Sequence, residues 1–155
     1  MKVKDIMKKE VLSFKPDDNA KEALEVLFKK RISGLPVIDA QGRLMGMFTE
    51  KNVLSHILPS YLEKVGRFVY EVDPKAVKNK LAELSTMKVA QLMRPRQEVV
   101  TATEDMSLGE LAKDMLTQKA RRVPVIDKSG KVLGIVARCD LLKALAEKAG
   151  APIKC

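Results

Sequence analysis

The segment 35–46 reads Leu-Pro-Val-Ile-Asp-Ala-Gln-Gly-Arg-Leu-Met-Gly, and the segment 123–134 reads Val-Pro-Val-Ile-Asp-Lys-Ser-Gly-Lys-Val-Leu-Gly. Six of the twelve positions are identical, and corresponding residues such as Pro36 and Pro124 are 88 positions apart. Each copy places a turn containing Asp and Gly between two apolar runs, which predicts a β-hairpin. Because the same hairpin occurs twice in one chain, an internal repeat decides the fold.

The repeat continues on both sides of the hairpin. The segments 3–7 and 89–93 open the two copies, and short strands are predicted at 11–14 and 99–102. In each copy an apolar stripe with helical spacing follows, which predicts an amphipathic helix with one buried face. The stripe consists of Ala20, Ala23, Leu24, Leu27 and Phe28 in the first copy and of Leu108, Leu111, Ala112, Met115 and Leu116 in the second.

A second helix is predicted after each hairpin, at about 52–58 and at about 140–148, so each copy has the order β-α-β-β-α. The predicted fold class is α/β (α+β), with two pseudo-symmetric repeats packed sheet to sheet, because one repeat alone leaves a sheet face uncovered. The predicted domains are a first repeat at 1–58, an insert at 59–88 and a second repeat at 89–155.

The insert has no counterpart within the second repeat, and it contains Tyr61, Phe68 and Tyr70. Pro74 in a first turn, followed by an apolar stripe, predicts a helix near 74–85. We expect an ordered segment that covers a cleft or extends an interface, because this pattern is too regular for a flexible linker.

Composition limits the function classes. The chain has 155 residues, 46% of them hydrophobic, and no apolar run that approaches the length of a membrane span. Its net charge is +9, but basic residues are interleaved with acidic ones, aromatics make up 4% and Trp is absent. This pattern favours a solvated basic surface, or attraction of anionic small molecules, over nucleic-acid binding.

The reactive side chains do not form a constellation that indicates catalysis or a metal site. His56 is the sole histidine, so neither a nucleophile–histidine pair nor a histidine-based metal site is predicted, and we expect no enzymatic activity. Cys139 and Cys155 make no disulfide framework, and Cys139 is expected to be buried or half-buried. The start of the chain has no signal-peptide pattern, so a reducing, cytoplasmic location is expected.

Three motifs now resemble a known family. They are the opening Val3-x-Asp5-x-Met7, the hairpin with Pro-Val-Ile-Asp, and a segment that reads Gly-h-h-Thr-x-x-Asn at 46–52 and Gly-h-h-Ala-x-x-Asp at 134–140, where h is apolar. Together they resemble a tandem pair of cystathionine-β-synthase (CBS) domains, called a Bateman module. The resemblance covers about 1–58 and 87–148.

The resemblance implies a pseudo-symmetric disc with two clefts that bind adenosine-containing ligands such as AMP, ADP, ATP or S-adenosylmethionine. These are regulatory ligands, and no cofactor is required. It also implies a homodimer that regulates a partner enzyme, channel or transporter in trans.

The residues of the third motif suit such a ligand. The motif joins a strand to a helix N-terminus, where free backbone N–H groups favour phosphate. A carboxylate at Asp140 can accept hydrogen bonds from ribose hydroxyls, and a hydroxyl at Thr49 can donate to phosphate or ribose.

The resemblance also implies which residues line each cleft. The first cleft would use Asp140 for the ribose, Lys51 for phosphate, and Leu12, Ser13, Ile32, Ser33, Leu35, Pro36 and Ile135 as surroundings. The second would use Thr49 and Asn52 for the ribose side, Arg121 and Arg122 as phosphate clamps, and Met47, Val100, Thr101, Val123 and Pro124 as surroundings.

Two positions depart from the family pattern: Ala137 has no hydroxyl, and Asn52 replaces the acidic residue. A structural scaffold with degenerate clefts is therefore an alternative function. Asp140 and Thr49 also fit a helix start, and Arg121-Arg122 also fits a solvated helix end. If both clefts bind, the second is expected to favour di- or triphosphates and the first AMP-like ligands.

Overall fold

The computed structural model of the chain describes residues 1–58 and 74–154. The α+β class is confirmed. The helices and strands are α1 (Val3–Ile6), α2 (Ala20–Lys30), β1 (Gly34–Ile38), β2 (Leu44–Thr49), α3 (Glu50–Ile57), α4 (Pro74–Leu84), α5 (Val89–Leu92), β3 (Arg94–Pro95), α6 (Leu108–Thr117), β4 (Arg122–Ile126), β5 (Val132–Ala137) and α7 (Arg138–Lys148). A 3₁₀ turn, Arg96–Glu98, follows β3. Within the described ranges, no helix is long and apolar enough to cross a membrane.

The chain forms two compact units. Unit 1 comprises Met1–Leu12, Ala40–Leu44 and Glu98–Cys155, and unit 2 comprises Ser13–Asp39 and Met45–Gln97. The sheet of unit 1 contains β4 antiparallel to β5, and the other sheet has the strand order β1-β2-β3.

Each unit has its own apolar core, built by the helix stripes that the sequence predicts. In unit 1, Leu108, Leu111 and Met115 of α6 pack with buried residues of β4, β5 and α7. In unit 2, Ala20, Ala23 and Leu27 of α2 pack with a cluster that includes an edge-to-face pair of Phe14 and Phe48, whose ring centroids are 5.6 Å apart.

The opening segments are exchanged between the sequence repeats. In unit 1, the Val3 N–H donates to the Met106 carbonyl (2.9 Å), and Lys8 exchanges two backbone hydrogen bonds of 2.9 Å with Ile135. In unit 2, Arg94, which follows α5, pairs with Met47 of β2. Each compact unit therefore takes its opening segment from the other sequence repeat, a division that the boundaries 1–58 and 89–155 did not predict.

The strands predicted at 11–14 and 99–102 are each reduced to one bridged residue. Phe14 and Ala102 pair in parallel with Val37 and Val125, respectively. Extending either ladder backwards would need an N–H on the residue before the valine. That residue is Pro36 or Pro124, and proline has no N–H to donate.

The helix expected near 74–85 is α4, and it is attached to unit 2. The Asn19 side-chain amide donates to the Ser85 carbonyl (2.8 Å), and His56 Nε2 lies 3.2 Å from Glu83 Oε2. The other predicted features of the insert, including Tyr61, Phe68 and Tyr70, lie outside the described residues.

Two glycines allow the opening segments to cross the hairpins. A Cβ atom on Gly134 would lie 2.8 Å from Met7 Sδ and 2.9 Å from the Lys8 carbonyl oxygen. A Cβ atom on Gly46 would overlap the Arg94 carbonyl oxygen. The close approach of backbone at these two positions therefore requires glycine.

We expect Gly134→Ala to lower the free energy of unfolding by about 1–3 kcal/mol, because the new methyl group displaces the opening segment. Chemical denaturation measures this. The matched control is Gly109→Ala in α6, where a Cβ atom meets nothing within 4 Å and stability should be unchanged or higher. Equal stability of Gly134→Ala and wild type would contradict the close crossing.

The turn of the second hairpin is organised by Asp127. Its Oδ1 atom accepts hydrogen bonds from Ser129 N (2.9 Å), Ser129 Oγ (2.7 Å) and Lys131 N (3.0 Å). The bond from the Ser129 hydroxyl, followed by that from the Lys131 N–H, lowers the pKa of Asp127 below its ordinary value. The charged form is therefore favoured in the folded state.

We expect Asp127→Asn to be less stable than wild type at pH 7, because the amide keeps the acceptor oxygen but loses its charge. A lowered folded-state pKa gives stability that is present above the unfolded pKa and lost as pH falls through the folded pKa. The difference in melting temperature should therefore begin to shrink as the pH falls below about 4, and it should disappear once the pH is below the lowered folded pKa of Asp127. The control is Asp105→Asn, which removes only an exposed pair with Lys4. A difference that persists unchanged in acid would contradict this role of the Asp127 charge.

Candidate functional site

The candidate site consists of two equivalent strand–helix junctions, one in each unit. In unit 1, β5 ends at Ala137 and α7 begins at Arg138; in unit 2, β2 ends at Thr49 and α3 begins at Glu50. In both cases the helix begins directly after the strand. The N–H groups of the first helical turn lack intrahelical partners and carry a partial positive charge, so each junction can attract an acceptor group.

At the unit 1 junction, Asp140 is held at both carboxylate oxygens. The Ala137 N–H donates to Oδ2 (2.9 Å), and the Lys8 ammonium lies 3.6 Å from Oδ1. The Asp140 side chain is 12% exposed, whereas that of Lys8 is 70% exposed. The helix-start interpretation of Asp140 is therefore confirmed, and its Oδ1 faces the solvent-exposed ammonium group of Lys8.

At the unit 2 junction, Thr49 and Asn52 form a reciprocal cap. The Asn52 N–H donates to Thr49 Oγ1 (3.2 Å), and the Thr49 N–H donates to Asn52 Oδ1 (2.9 Å). The interpretation of Thr49 as a helix N-cap is confirmed. The junction is thus organised before any ligand arrives.

The small residue Ala137, which lacks the hydroxyl of Thr49, lies opposite a large residue on the neighbouring strand of the hairpin. In unit 1, Ala137 is the cross-strand partner of Arg122. In unit 2 the equivalent residues are Thr49 and Gly34, and a Cβ atom on Gly34 would lie only 2.6 Å from Thr49 Cγ2. The larger side chain at one position therefore accompanies the smaller one at the other, so the two departures from the repeat are linked by packing.

Arg138 is a further basic residue at the unit 1 junction. Its backbone N–H donates to the Arg121 carbonyl (3.2 Å), and its Nε donates to the Ala120 carbonyl (3.0 Å). Arg122 begins β4 and is half-buried, while Arg121 is exposed. Three arginines therefore lie close in the backbone to this helix start.

The structure distributes the residues predicted for each cleft over both units. Unit 1 contains Leu12, Val100, Thr101, Arg121, Arg122, Val123, Pro124, Ile135 and Asp140; unit 2 contains Ser13, Ile32, Ser33, Leu35, Pro36, Met47, Thr49, Lys51 and Asn52. Within the units, Asp140 is joined to the β5 end, and Thr49 is joined to Asn52. The combination of residues from both units into clefts stays a prediction.

The residues predicted to line the two clefts fall into two groups by their burial. The apolar residues Leu35, Pro36, Met47, Val123, Pro124 and Ile135 are buried. In contrast, Leu12, Ser13, Lys51 and Arg121 are exposed, and Ile32, Ser33, Val100 and Thr101 are half-buried. Val123 packs into the unit 1 core and Leu35 into the unit 2 core, so both have a structural role besides the predicted one.

Sequence reasoning missed Lys8, Arg94 and Arg138. A signal for the first two was present, because a basic residue follows the methionine of each opening segment, at Lys8 and at Arg94. Their proximity to the junctions depends on the exchange of the opening segments, which no local pattern reveals.

Cys139 differs from its expected state. It is exposed rather than buried or half-buried, and it is disulfide-bonded, so those expectations were wrong; Cys155 lies outside the described residues. Among the residues that the structure describes, no group of three or more His, Cys, Asp or Glu side chains could hold a metal ion.

Comparison with known proteins assigns the chain to a family. A model of the CBS domain matches residues 3–59 and 89–147. The chain is 32% identical over 165 aligned residues to the uncharacterized protein MJ1426 of Methanocaldococcus jannaschii. The alignment covers 94% of this chain and 91% of that protein. It is 35% identical over 136 residues to the chloroplastic CBS domain-containing protein CBSX1 of Arabidopsis thaliana, with coverage of 84% and 57%, respectively.

Solved structures give the same result. The crystal structure of CBSX2 in complex with AMP matches with a TM-score of 0.72 at 27% identity, covering 96% of this chain and 98% of that one. The CBS domain pair of MJ0100, in complex with 5′-methylthioadenosine and S-adenosyl-L-methionine, matches with a TM-score of 0.66 at 25% identity, covering 96% and 98%. The chain therefore belongs to the CBS-domain family and contains two CBS domains in tandem.

Proposed function

We propose that this chain is a regulatory module that binds an adenosyl ligand, either AMP, ADP or ATP or S-adenosylmethionine. The observation that carries the proposal is the carboxylate of Asp140, which is fixed by the Ala137 N–H at a helix start and largely buried. The similarity to the AMP complex of CBSX2 and to the complexes of MJ0100 supports this ligand class.

The geometry suits a nucleoside. Oδ1 of Asp140 can accept a ribose hydroxyl hydrogen once the Lys8 ammonium moves aside, and Lys8 can move into solvent because its side chain is 70% exposed. The free N–H groups of the first turn of α7 and nearby basic residues suit a phosphate. Arg121 and Arg122 are proposed as phosphate clamps and Lys51 as a weaker phosphate partner, since guanidinium binds phosphate in a fork.

The proposed role is regulation of a partner enzyme or transporter in trans, not catalysis. Asp140, Thr49 and Asn52 are occupied in holding helix starts, an arrangement that binds and orients without a nucleophile–base pair. We also propose that the chain has no nucleic-acid partner, because basic and acidic residues are interleaved along the sequence.

We expect AMP to bind wild type in isothermal titration and to bind Asp140→Ala at least tenfold more weakly, because hydrogen bonds to a charged group contribute about 1.5–3 kcal/mol. The control is Asp105→Ala, which removes an exposed carboxylate of the same unit. ADP, ATP and S-adenosylmethionine are titrated in parallel to identify the ligand. No heat and no thermal shift with any of the four at millimolar concentration would refute the proposal.

A second candidate function is a dimerising scaffold. It is favoured by large apolar side chains that are exposed at equivalent positions of the two repeats. Phe28 of α2 and Leu116 of α6 are equivalent residues, and they are 60% and 77% exposed. Leu54 of α3 and Leu142 of α7 are also equivalent, and they are 55% and 58% exposed. Large apolar side chains that are exposed at the same positions of both repeats suit an interface with a second copy of the chain.

If these helices form the homodimer interface, Phe28→Glu together with Leu116→Glu should convert a dimer into a monomer, because a buried unpaired charge is strongly unfavourable. Sedimentation velocity with and without AMP measures the state. Ile153→Glu, at a residue that is 51% exposed and outside the helices, is the control and should leave the dimer intact. A wild-type chain that sediments as a monomer, or a double variant that remains a dimer, would refute the interface.

A further inference from the structure

The orientation of the Asn52 amide is determined by its neighbours. Asn52 Oδ1 lies 2.9 Å from the Thr49 backbone nitrogen and 3.0 Å from Thr49 Oγ1. A backbone N–H can only donate, so the amide atom that faces it must be the oxygen rather than the nitrogen. Oδ1 therefore receives the Thr49 N–H, and the NH₂ group is directed elsewhere.

The NH₂ group of Asn52 remains available. Within the described part of the chain, no acceptor is hydrogen-bonded to Asn52 Nδ2, and Asn52 is half-buried. An amide nitrogen carries two hydrogens and no acceptor capacity. The unit 2 junction therefore offers a hydrogen-bond donor to a ligand.

The unit 1 junction offers the opposite. Asp140 occupies the position equivalent to Asn52, and one of its oxygens likewise receives the backbone N–H at the end of the strand, from Ala137 at 2.9 Å. The other oxygen, Oδ1, is a carboxylate acceptor that faces the Lys8 ammonium at 3.6 Å. In each junction one terminal side-chain atom is therefore not used by the strand end. In unit 1 it is an acceptor that faces Lys8, and in unit 2 it is a donor.

We propose that the two junctions select their ligands by opposite hydrogen-bond polarity. Asp140 requires a sugar hydroxyl that still has its hydrogen. The NH₂ group of Asn52 donates a hydrogen bond to a lone pair of a ribose oxygen, which remains when that oxygen is alkylated. The unit 2 junction therefore accepts an adenosyl ligand whose ribose oxygen is alkylated. Asn52 is thereby a specificity-determining residue, and this inference rests on the proposed function.

Asn52 differs from Asp140 both in charge and in the hydrogen-bond polarity of its available atom. The helix start of α3 carries Glu50 and Lys51, whose charges are opposite and both exposed. Arg94 lies nearby in the backbone ladder, opposite Met47. Conversion of the amide to a carboxylate changes the free atom from donor to acceptor, while the Thr49 N–H keeps its partner.

The test compares AMP with its 2′-O-methyl and 3′-O-methyl analogues, which keep the oxygen and lose the hydrogen. Isothermal titration is performed on wild type, Asn52→Asp and Asp140→Asn. Asn52→Asp should raise the preference for AMP over the analogues at one site by about tenfold, and Asp140→Asn should lower it at the other, since charge-assisted bonds are the stronger ones. The control is Ser55→Ala, at an exposed position of the same helix, and it should leave the preference unchanged.

The outcomes separate this inference from the proposed function. If wild type binds AMP and Asp140→Ala weakens it, but Asn52→Asp leaves the preference for AMP unchanged, the polarity assignment is wrong and the ligand class stands. If wild type binds none of the adenosyl ligands, both are wrong. An altered preference in Ser55→Ala as large as that in Asn52→Asp would show that Asn52 does not set the preference.

Discussion

The pairing of the opening segment with the last strand of unit 1 is the constraint on which the site depends. Two backbone hydrogen bonds of 2.9 Å join Lys8 to Ile135. They are possible only because Gly134 presents no Cβ atom to Met7 and Lys8. The same pairing brings the Lys8 ammonium to Asp140, so one steric condition controls both the closure of unit 1 and the charge beside its candidate ligand group.

The repeat provides an internal comparison of how a junction is built. In each junction the backbone N–H at the end of the strand, of Thr49 or Ala137, donates to the side chain of the third helical residue. That residue is Asn52 in unit 2 and Asp140 in unit 1. The last residue of the strand and its neighbour on the adjacent strand differ as a pair between the units. Thr49 lies beside Gly34 in unit 2, and Ala137 lies opposite Arg122 in unit 1. Such linked differences between the copies show that each junction is packed in its own way, although both follow the same repeat.

Local patterns predicted most of the fold. The apolar stripes of α2 and α6 have helical spacing over several turns, and the hairpins combine apolar runs with Asp and Gly in the turn, so both were correct. The predicted strands around Phe14 and Ala102 failed because the residues opposite include Pro36 and Pro124. The equivalence of Asp140 and Asn52 was readable from the repeat, as was the N-cap at Thr49. The ion pair between Lys8 and Asp140 could not be predicted, because it depends on the pairing of segments that are distant in the chain. The periodicity of the sequence carries no information on such a pairing.

The exchange of the opening segments also determines when each unit can be completed during synthesis. Unit 1 needs Val3 from the beginning of the chain and Met106 from its second half, which are joined by a hydrogen bond of 2.9 Å. The N-terminal segment emerges first but has no partner until the second hairpin has been made. The hydrogen bonds that join the opening segment to unit 1 therefore form late, at the entropic cost of closing a long loop. A chain of this topology should fold more slowly than one in which each repeat closes on itself.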